Sequence, residues 1–344
     1  MVRAAGFRYA LRRLLARTFK TRGQGPRHLY RAIWLEAAAE IGAQVTERGA
    51  GVLEIRRGGV VAVVDRHRVG LDRPDHDGGD KLSAQQRLIA AGLSVPDSIA
   101  FDASDLAPAL AFLAERGAPA VVKPTNTGGG KGITAGVRDR GQLERAVARA
   151  AHFSARLMIE SQAAGDPYRL LVLDGELLDT VRRRAPRLTG DGRSTIRELI
   201  AIENRRRQAG SSAGWDVIRA DLDAVLTLEA QDLTLESVPP AGAVVQVKTV
   251  NNVTRPEDCE TVHEPIAREL EAEMVLAAQV VGLRLAGVDV VTSHLDRSLG
   301  ESGGVILEVN SDPSPHLHYR VADPARATRV AIPILERRLA PASG

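Results

Sequence analysis

Residues 120–134 read Ala-Val-Val-Lys-Pro-Thr-Asn-Thr-Gly-Gly-Gly-Lys-Gly-Ile-Thr, and no other stretch limits so narrowly what the chain can fold into. A β-branched apolar run ends at Lys123, a loop with four glycines and Lys131 follows, and residues 133–137 resume as a short strand. That pattern predicts a hairpin with a glycine flap at its tip. Glycines let backbone N–H groups close on an oxyanion and two lysines add positive charge, which suits a phosphate cradle, although Gly-Gly is also ordinary turn chemistry. A P-loop does not fit. That motif ends in Gly-Lys-Ser/Thr and opens a helix, whereas Gly132 and a strand-like segment follow Lys131 here.

Periodicity around the hairpin predicts helices over 29–43, 80–91, 105–116, 142–152, 194–203 (capped by Ser194), 222–231, 263–281 and 324–338. Strands are expected at 52–55 and 60–64, flanking Arg56-Arg57-Gly58-Gly59, and at 156–160, 168–172, 176–181, 244–250, 286–292 and 305–309. No internal repeat is present. This order predicts an α+β protein of subdomains packed against one another rather than a doubly wound sheet.

The strand at 305–309 carries Glu308, and Asn310, two residues on, faces the same side. Asp289 sits among β-branched residues in Gly287-Val288-Asp289-Val290-Val291, where a carboxylate is costly unless paired or bound to a metal. Hard oxygen ligands of this kind suit Mg²⁺ that also holds substrate phosphates. Together with the flap upstream, they point to a magnesium–nucleotide site.

Composition narrows the rest. The chain's 344 residues are enough for two or three cores, and no apolar run approaches bilayer length. A single cysteine, Cys259, excludes an internal disulfide and fits a cytoplasmic location, while 3% aromatic residues argue against base-stacking platforms for nucleic acid. The formal charge of +3 is uneven, since the first acidic residue is Glu36. Leu11, Leu14, Leu15 and Phe19 at helical spacing among arginines allow a basic helix over residues 1–28 that packs on the body or on a second subunit in a homodimer, a phosphate or membrane-surface contact, or a disordered arm. The acidic and histidine residues of 65–77 show no regular ligand spacing and read as a loop.

Six pieces in order carry a family resemblance: Asp80-Lys81 with Ala91-Gly92-Leu93-Ser94-Val95-Pro96, the 123–132 flap, residues 168–172, Thr189-Gly190-Asp191-Gly192, residues 233–242, and Ile306-Leu307-Glu308-Val309-Asn310. On these the chain resembles the ATP-grasp carboxylate–amine ligases, most of all the ATP-grasp part of cyanophycin synthetases. The resemblance implies an ATP-grasp fold of three subdomains: residues 29–96, a mobile lid over 97–164, and 165–344 with the metal site. It further implies ATP held by Lys123, Lys131 and the flap glycines Gly128, Gly129, Gly130 and Gly132. Adenine would be read at Glu160, Ser161, Gln162 and Ala163, and the ribose at Asp166. Arg169 would face the acyl group, and Arg183 the γ-phosphate, with Arg182 or Arg184 as alternatives. Asp289, Glu308 and Asn310 would hold Mg²⁺.

The family's Asn-x-Ser-Thr-Gly-Gly loop is replaced by residues 252–257, of which Asn252 and Thr254 keep a likeness, and the second ligase domain of those synthetases is not expected in 344 residues. The expected reaction is therefore a single condensation. A substrate carboxylate takes the γ-phosphate of ATP and an amine then displaces it, joining small acid and amine substrates such as two amino acids, or an amino acid and a small peptide, without nucleic acid or membrane. An ATP-binding regulatory module and a kinase on the same fold are the alternatives. Cys259, His294, His316 and His318 receive no catalytic role.

Overall fold

The computed structural model describes residues 26–49, 51–65, 68–71, 81–116, 119–210, 217–250 and 256–341. The expectations for residues 1–25, for most of the 65–77 loop, for Asp80, and for Asn252 and Thr254 lie outside them. The described chain opens with helix α1 (Pro26–Glu40) and a three-stranded antiparallel sheet, β1 (Gln44–Gly49), β2 (Val52–Arg57) and β3 (Val60–Asp65). After α2 (Lys81–Ala90) come β4 (Ser98–Asp102), α3 (Ala107–Arg116), β5 (Ala120–Pro124), β6 (Thr134–Val137), α4 (Arg140–Ala151) and β7 (Arg156–Ser161). Their strands form a second antiparallel sheet in the order β4-β7-β5-β6.

The remainder supplies β8 (Asp166–Leu173), β9 (Glu176–Arg183), β10 (Arg187–Thr189), α5 (Ile196–Gly210), α6 (Leu222–Glu229), β11 (Val244–Gln246), β12 (Cys259–Thr261), α7 (Arg268–Val281), β13 (Leu285–Thr292), α8 (Leu299–Ser302), β14 (Val305–Ser311), α9 (His316–Tyr319) and α10 (Ala331–Arg338). Five of these strands make the central antiparallel sheet, in the order β12-β9-β8-β13-β14. No helix among the described residues is long and apolar enough to cross a membrane.

Strand alternation sorts the central sheet's two faces. Leu170, Val172, Ala286 and Val288 pack with Leu270, Met274, Ala277 and Ala278 of α7, whereas Leu171, Leu173 and Leu285 pack with Ile33 and Trp34 of α1, Ile55, Val64 and Leu335. The second sheet has its own core, in which Ala120, Val122, Leu157 and Ile159 meet Phe112, Leu143 and Ala146, and Leu226 of α6 joins from later in the chain. A smaller core gathers Leu188, Ile196, Leu199, Leu228 and Val245.

Several expected elements shift. The cap of α5 is Thr195 rather than Ser194: the Glu198 N–H donates to Thr195 Oγ1 at 3.2 Å and the Thr195 N–H donates to Glu198 Oε2 at 2.8 Å, a reciprocal capping box. The Ser194 hydroxyl is drawn away, donating to Asp191 Oδ2 at 2.7 Å. The helix expected from 263 starts at Arg268, because Pro265 disfavours helical geometry in the residue before it and Ala267 is extended with ψ 138°. The last helix is broken into a 3-10 turn at Pro324–Arg326 and α10, with Thr328 between them donating to the buried Asp179 at 2.6 Å. Only Val244–Gln246 of the strand expected over 244–250 is paired.

Candidate active site

The face of the central sheet that carries Leu171 and Leu285 also carries Arg169 and Asp289, because each lies an even number of residues away along its strand. Register completes a row across three strands: Asp289 lies opposite Arg169 on β8 and opposite Glu308 on β14, and Gly287 lies opposite Asn310. A bulge makes this possible. Asp289 pairs with Glu308 but Val290 pairs with Ile306, so Leu307 is an extra residue. Strict alternation would put Ile306 on the side of Glu308. The bulge instead sends Ile306 and Val309 together into the core against α7 and leaves Glu308 and Asn310 on the opposite face.

Arg169 grips Asp289 in a fork, Nε donating to Oδ1 at 2.5 Å and Nη2 to Oδ2 at 2.7 Å. Burial opposes both charges, yet the attraction of Asp289 raises the Arg169 pKa, and Arg169 with its hydrogen bonds holds Asp289 below the usual carboxylate range. Arg183 Nη1 stands 3.9 Å from Asp289 Oδ1, and burial pushes its guanidinium pKa down. Asn310 Nδ2 donates to Asp289 Oδ2 and to the Gly287 carbonyl, each at 3.2 Å. Gly287 has to lack a side chain, since a Cβ there would meet Pro313 at 2.9 Å and Arg169 Nη1 at 3.0 Å.

On the facing sheet, Val121 and Lys123 of β5 lie opposite Glu160 and Met158 of β7, on the side away from that sheet's core. Lys123 and Glu160 are therefore diagonal neighbours, buried, with Nζ 2.6 Å from Oε2. The contact is an ion pair by distance alone, since Glu160 Oε2 has no partner at hydrogen-bond angles. The Ser161 N–H donates to the Asp97 carbonyl and the Gln162 N–H to the Pro119 carbonyl, while Gln162 Oε1 accepts from the Gly136 N–H at 2.7 Å.

Between the two sheets lies a cleft of about 420 Å³. Of the residues expected at the site, Lys123, Gly129, Gly130, Glu160, Ser161, Gln162, Ala163, Arg169, Arg183, Asp289, Glu308 and Asn310 line it. Four expected residues do not: Gly128 and Lys131 are exposed in the flap, Gly132 is buried beneath it, and Asp166 is an exposed partner of Arg182 at 3.5 Å. Of the three neighbouring arginines Arg183 enters the cleft, whereas Arg182 lies over the Tyr168 ring and Arg184 binds Glu260 at 2.9 Å. His318 is buried and bonded to Asp179 at 2.6 Å. Gly132 has φ +75° and a Cβ there would meet Phe153 and Pro124 at 2.8 Å, so Gly132→Ala is expected to cost about 1–3 kcal/mol in a thermal unfolding comparison.

Lys81 of α2 was missed as a site residue. It lines the cleft and pairs with Glu308 from 227 positions away. Its only sequence signal was its place in the Asp80-Lys81 motif. Among the described residues no three His, Cys, Asp or Glu side chains gather closely enough to hold a metal by themselves. Two carboxylates and an amide nevertheless fit Mg²⁺, which commonly takes one or two carboxylates and completes its shell with water and phosphate oxygens.

The model of the ATP-binding domain of the carbamoyl-phosphate synthase L chain matches residues 80–163, a span that contains Lys81, Lys123, the flap and Glu160. Cyanophycin synthetase of Trichormus variabilis is 32% identical over 248 residues, 70% of this chain and 27% of that protein. Cyanophycin synthetase of Synechocystis is 34% identical over 75% of this chain and 30% of its own length. The bifunctional glutathione synthetase of Pasteurella multocida superposes over 90% of the chain and 43% of its own with a TM-score of 0.56, at 21% identity. The chain has the ATP-grasp fold. This ATP-grasp chain spans under a third of the cyanophycin synthetases it matches. It carries the glycine hairpin and the acidic strand pair on the two sides of one cleft.

Proposed function

We propose that the protein is an ATP-dependent carboxylate–amine ligase that forms an amide through an acyl-phosphate intermediate, joining two amino acids or an amino acid and a small peptide. The observation that carries this reading is the meeting, in one cleft, of the Lys123–Glu160 pair from one sheet with Arg169, Arg183, Asp289, Glu308 and Asn310 from the other. The similarity to cyanophycin synthetases, and at 29% identity to the glutathione biosynthesis bifunctional protein of Mannheimia succiniciproducens, supports the same class.

In this reading Lys123 and the glycines 128–132 bind the phosphates and residues 160–163 bind the adenine. Lys131 joins by flap closure, and residues 97–164 act as a lid over the parts formed by 29–96 and 165–344. Closure would exclude water and so protect the acyl phosphate. Arg169 and Arg183 orient the carboxylate and the transferred phosphoryl group and spread its charge. Asp289, Glu308 and Asn310 would hold Mg²⁺, which when bound neutralises phosphate charge. In the structure both carboxylates are closed by cations, Asp289 by Arg169 and Glu308 by Lys81. The protein is read as cytoplasmic, a homodimer acting on small molecules rather than nucleic acid or membrane.

Incubation with ATP, Mg²⁺ and pooled amino acids tests the proposal. ADP is expected only when an acid and an amine are both present, with an equal amount of a new amide by mass spectrometry. A stable phosphorylated acceptor would point to a kinase, and nucleotide bound without turnover to a regulatory module.

A further inference from the structure

One buried carboxylate outside the row of site residues touches two parts of the cleft wall. Asp223, the second residue of α6, is fully buried. Its Oδ1 accepts from the Ala135 N–H of β6 at 3.4 Å, and its Oδ2 accepts from the Val250 N–H at 3.2 Å. Ala135 belongs to the flap hairpin and Val250 to the segment after β11, and both line the cleft. The charge is balanced locally. Lys248 Nζ lies 3.3 Å from Asp223 Oδ2 and donates to Asp221 Oδ1 at 2.6 Å, and Arg149 of α4 donates to Asp221 Oδ2 at 2.8 Å.

The surroundings tie the same parts together. Leu226, one turn along α6, packs in the core of the flap-bearing sheet, and Thr227 Oγ1 lies 3.0 Å from the Thr249 hydroxyl, where Thr249 also lines the cleft. A buried carboxyl group that accepts from both amides resists their separation, because parting them costs at least one of these hydrogen bonds.

We propose that Asp223, held by Lys248, is a positioning residue that fixes the flap strand at Ala135 against the cleft edge at Val250 and so sets nucleotide affinity. The proposal rests on the nucleotide reading of the cleft, and ADP binding to the unaltered protein tests that reading separately. Asp223→Asn is expected to weaken ADP binding at least about tenfold by calorimetry, with a raised KM for ATP and a smaller change in kcat. A control, Val64→Ala in the core beneath α1, lowers the melting temperature without altering ADP affinity beyond twofold.

Amide exchange on the unaltered protein provides a measurement that does not depend on the variant folding. Added ADP should slow exchange at Ala135 and Val250 together. Equal ADP affinity in Asp223→Asn, an equal loss in Val64→Ala, or protection of one amide without the other overturns the proposal. Absence of ADP binding to the unaltered protein overturns the nucleotide reading and this proposal with it.

Discussion

Lys123→Met is expected to lower ATP-dependent turnover by about 10²–10³-fold, the loss that follows when one preorganised donor is removed from a site of developing charge. Lys123 is 7% exposed and Glu160 5%, so the same change leaves a buried carboxylate without its cation. Such a vacancy costs about 3–5 kcal/mol, so lost activity in the single variant could arise from unfolding alone. Adding Glu160→Gln removes the orphaned charge while keeping the side chain's size. The double variant is expected to regain most of the melting temperature and none of the turnover. A double variant that recovers both would show that Lys123 serves only the fold.

Asp289→Asn is expected to be as damaging for a different reason. It opens the fork with Arg169, leaves the buried Arg169 and the half-buried Arg183 near each other without their shared anion, and removes one of two carboxylates proposed for Mg²⁺. Leaving the buried Arg169 without its partner should cost about 3–5 kcal/mol, read as a lower urea midpoint, and magnesium should no longer stimulate whatever turnover persists. The pH dependence has a definite sign. The pKa of Asp289 is depressed in the folded protein because Arg169 outweighs burial, so its contribution to stability is full above the unfolded value near about 3.9 and is lost as pH falls through the lower folded value. The gap in melting temperature between the unaltered protein and Asp289→Asn should therefore be steady at neutral pH and shrink below about pH 4. A gap that persists unchanged into acid would remove the ion pair from the explanation.

Much of the local structure was legible because it rests on short-range rules. The flap hairpin follows from residues 120–137, and β13 and β14 follow from β-branched runs with an acid at a fixed parity. The misplaced Ser194 cap shows the limit of such rules: two hydroxyl residues stand side by side, and the choice between them depends on Glu198 reaching back to Thr195 while Asp191 captures Ser194. Likewise, the periodicity of 263–281 carries no information about where Pro265 and the extended Ala267 delay the helix.

The sequence by itself pointed to the glycine hairpin with Lys123 and to the acids of β13 and β14, through side-chain chemistry and the two-residue period of a strand, while Glu160 and Arg169 were singled out only by the resemblance to ATP-grasp ligases. Only the tertiary structure decided which of them meet. The Leu307 bulge turned Glu308 away from Ile306, β9 sent Arg183 rather than its neighbours into the cleft, and α2 delivered Lys81 to Glu308. Asp223 was placed between Ala135 and Val250 by the packing of α6 on the flap-bearing sheet. The physical reason is that register, bulges and contacts across more than a hundred residues are set by the packing of whole faces. No local pattern encodes which face will cover another.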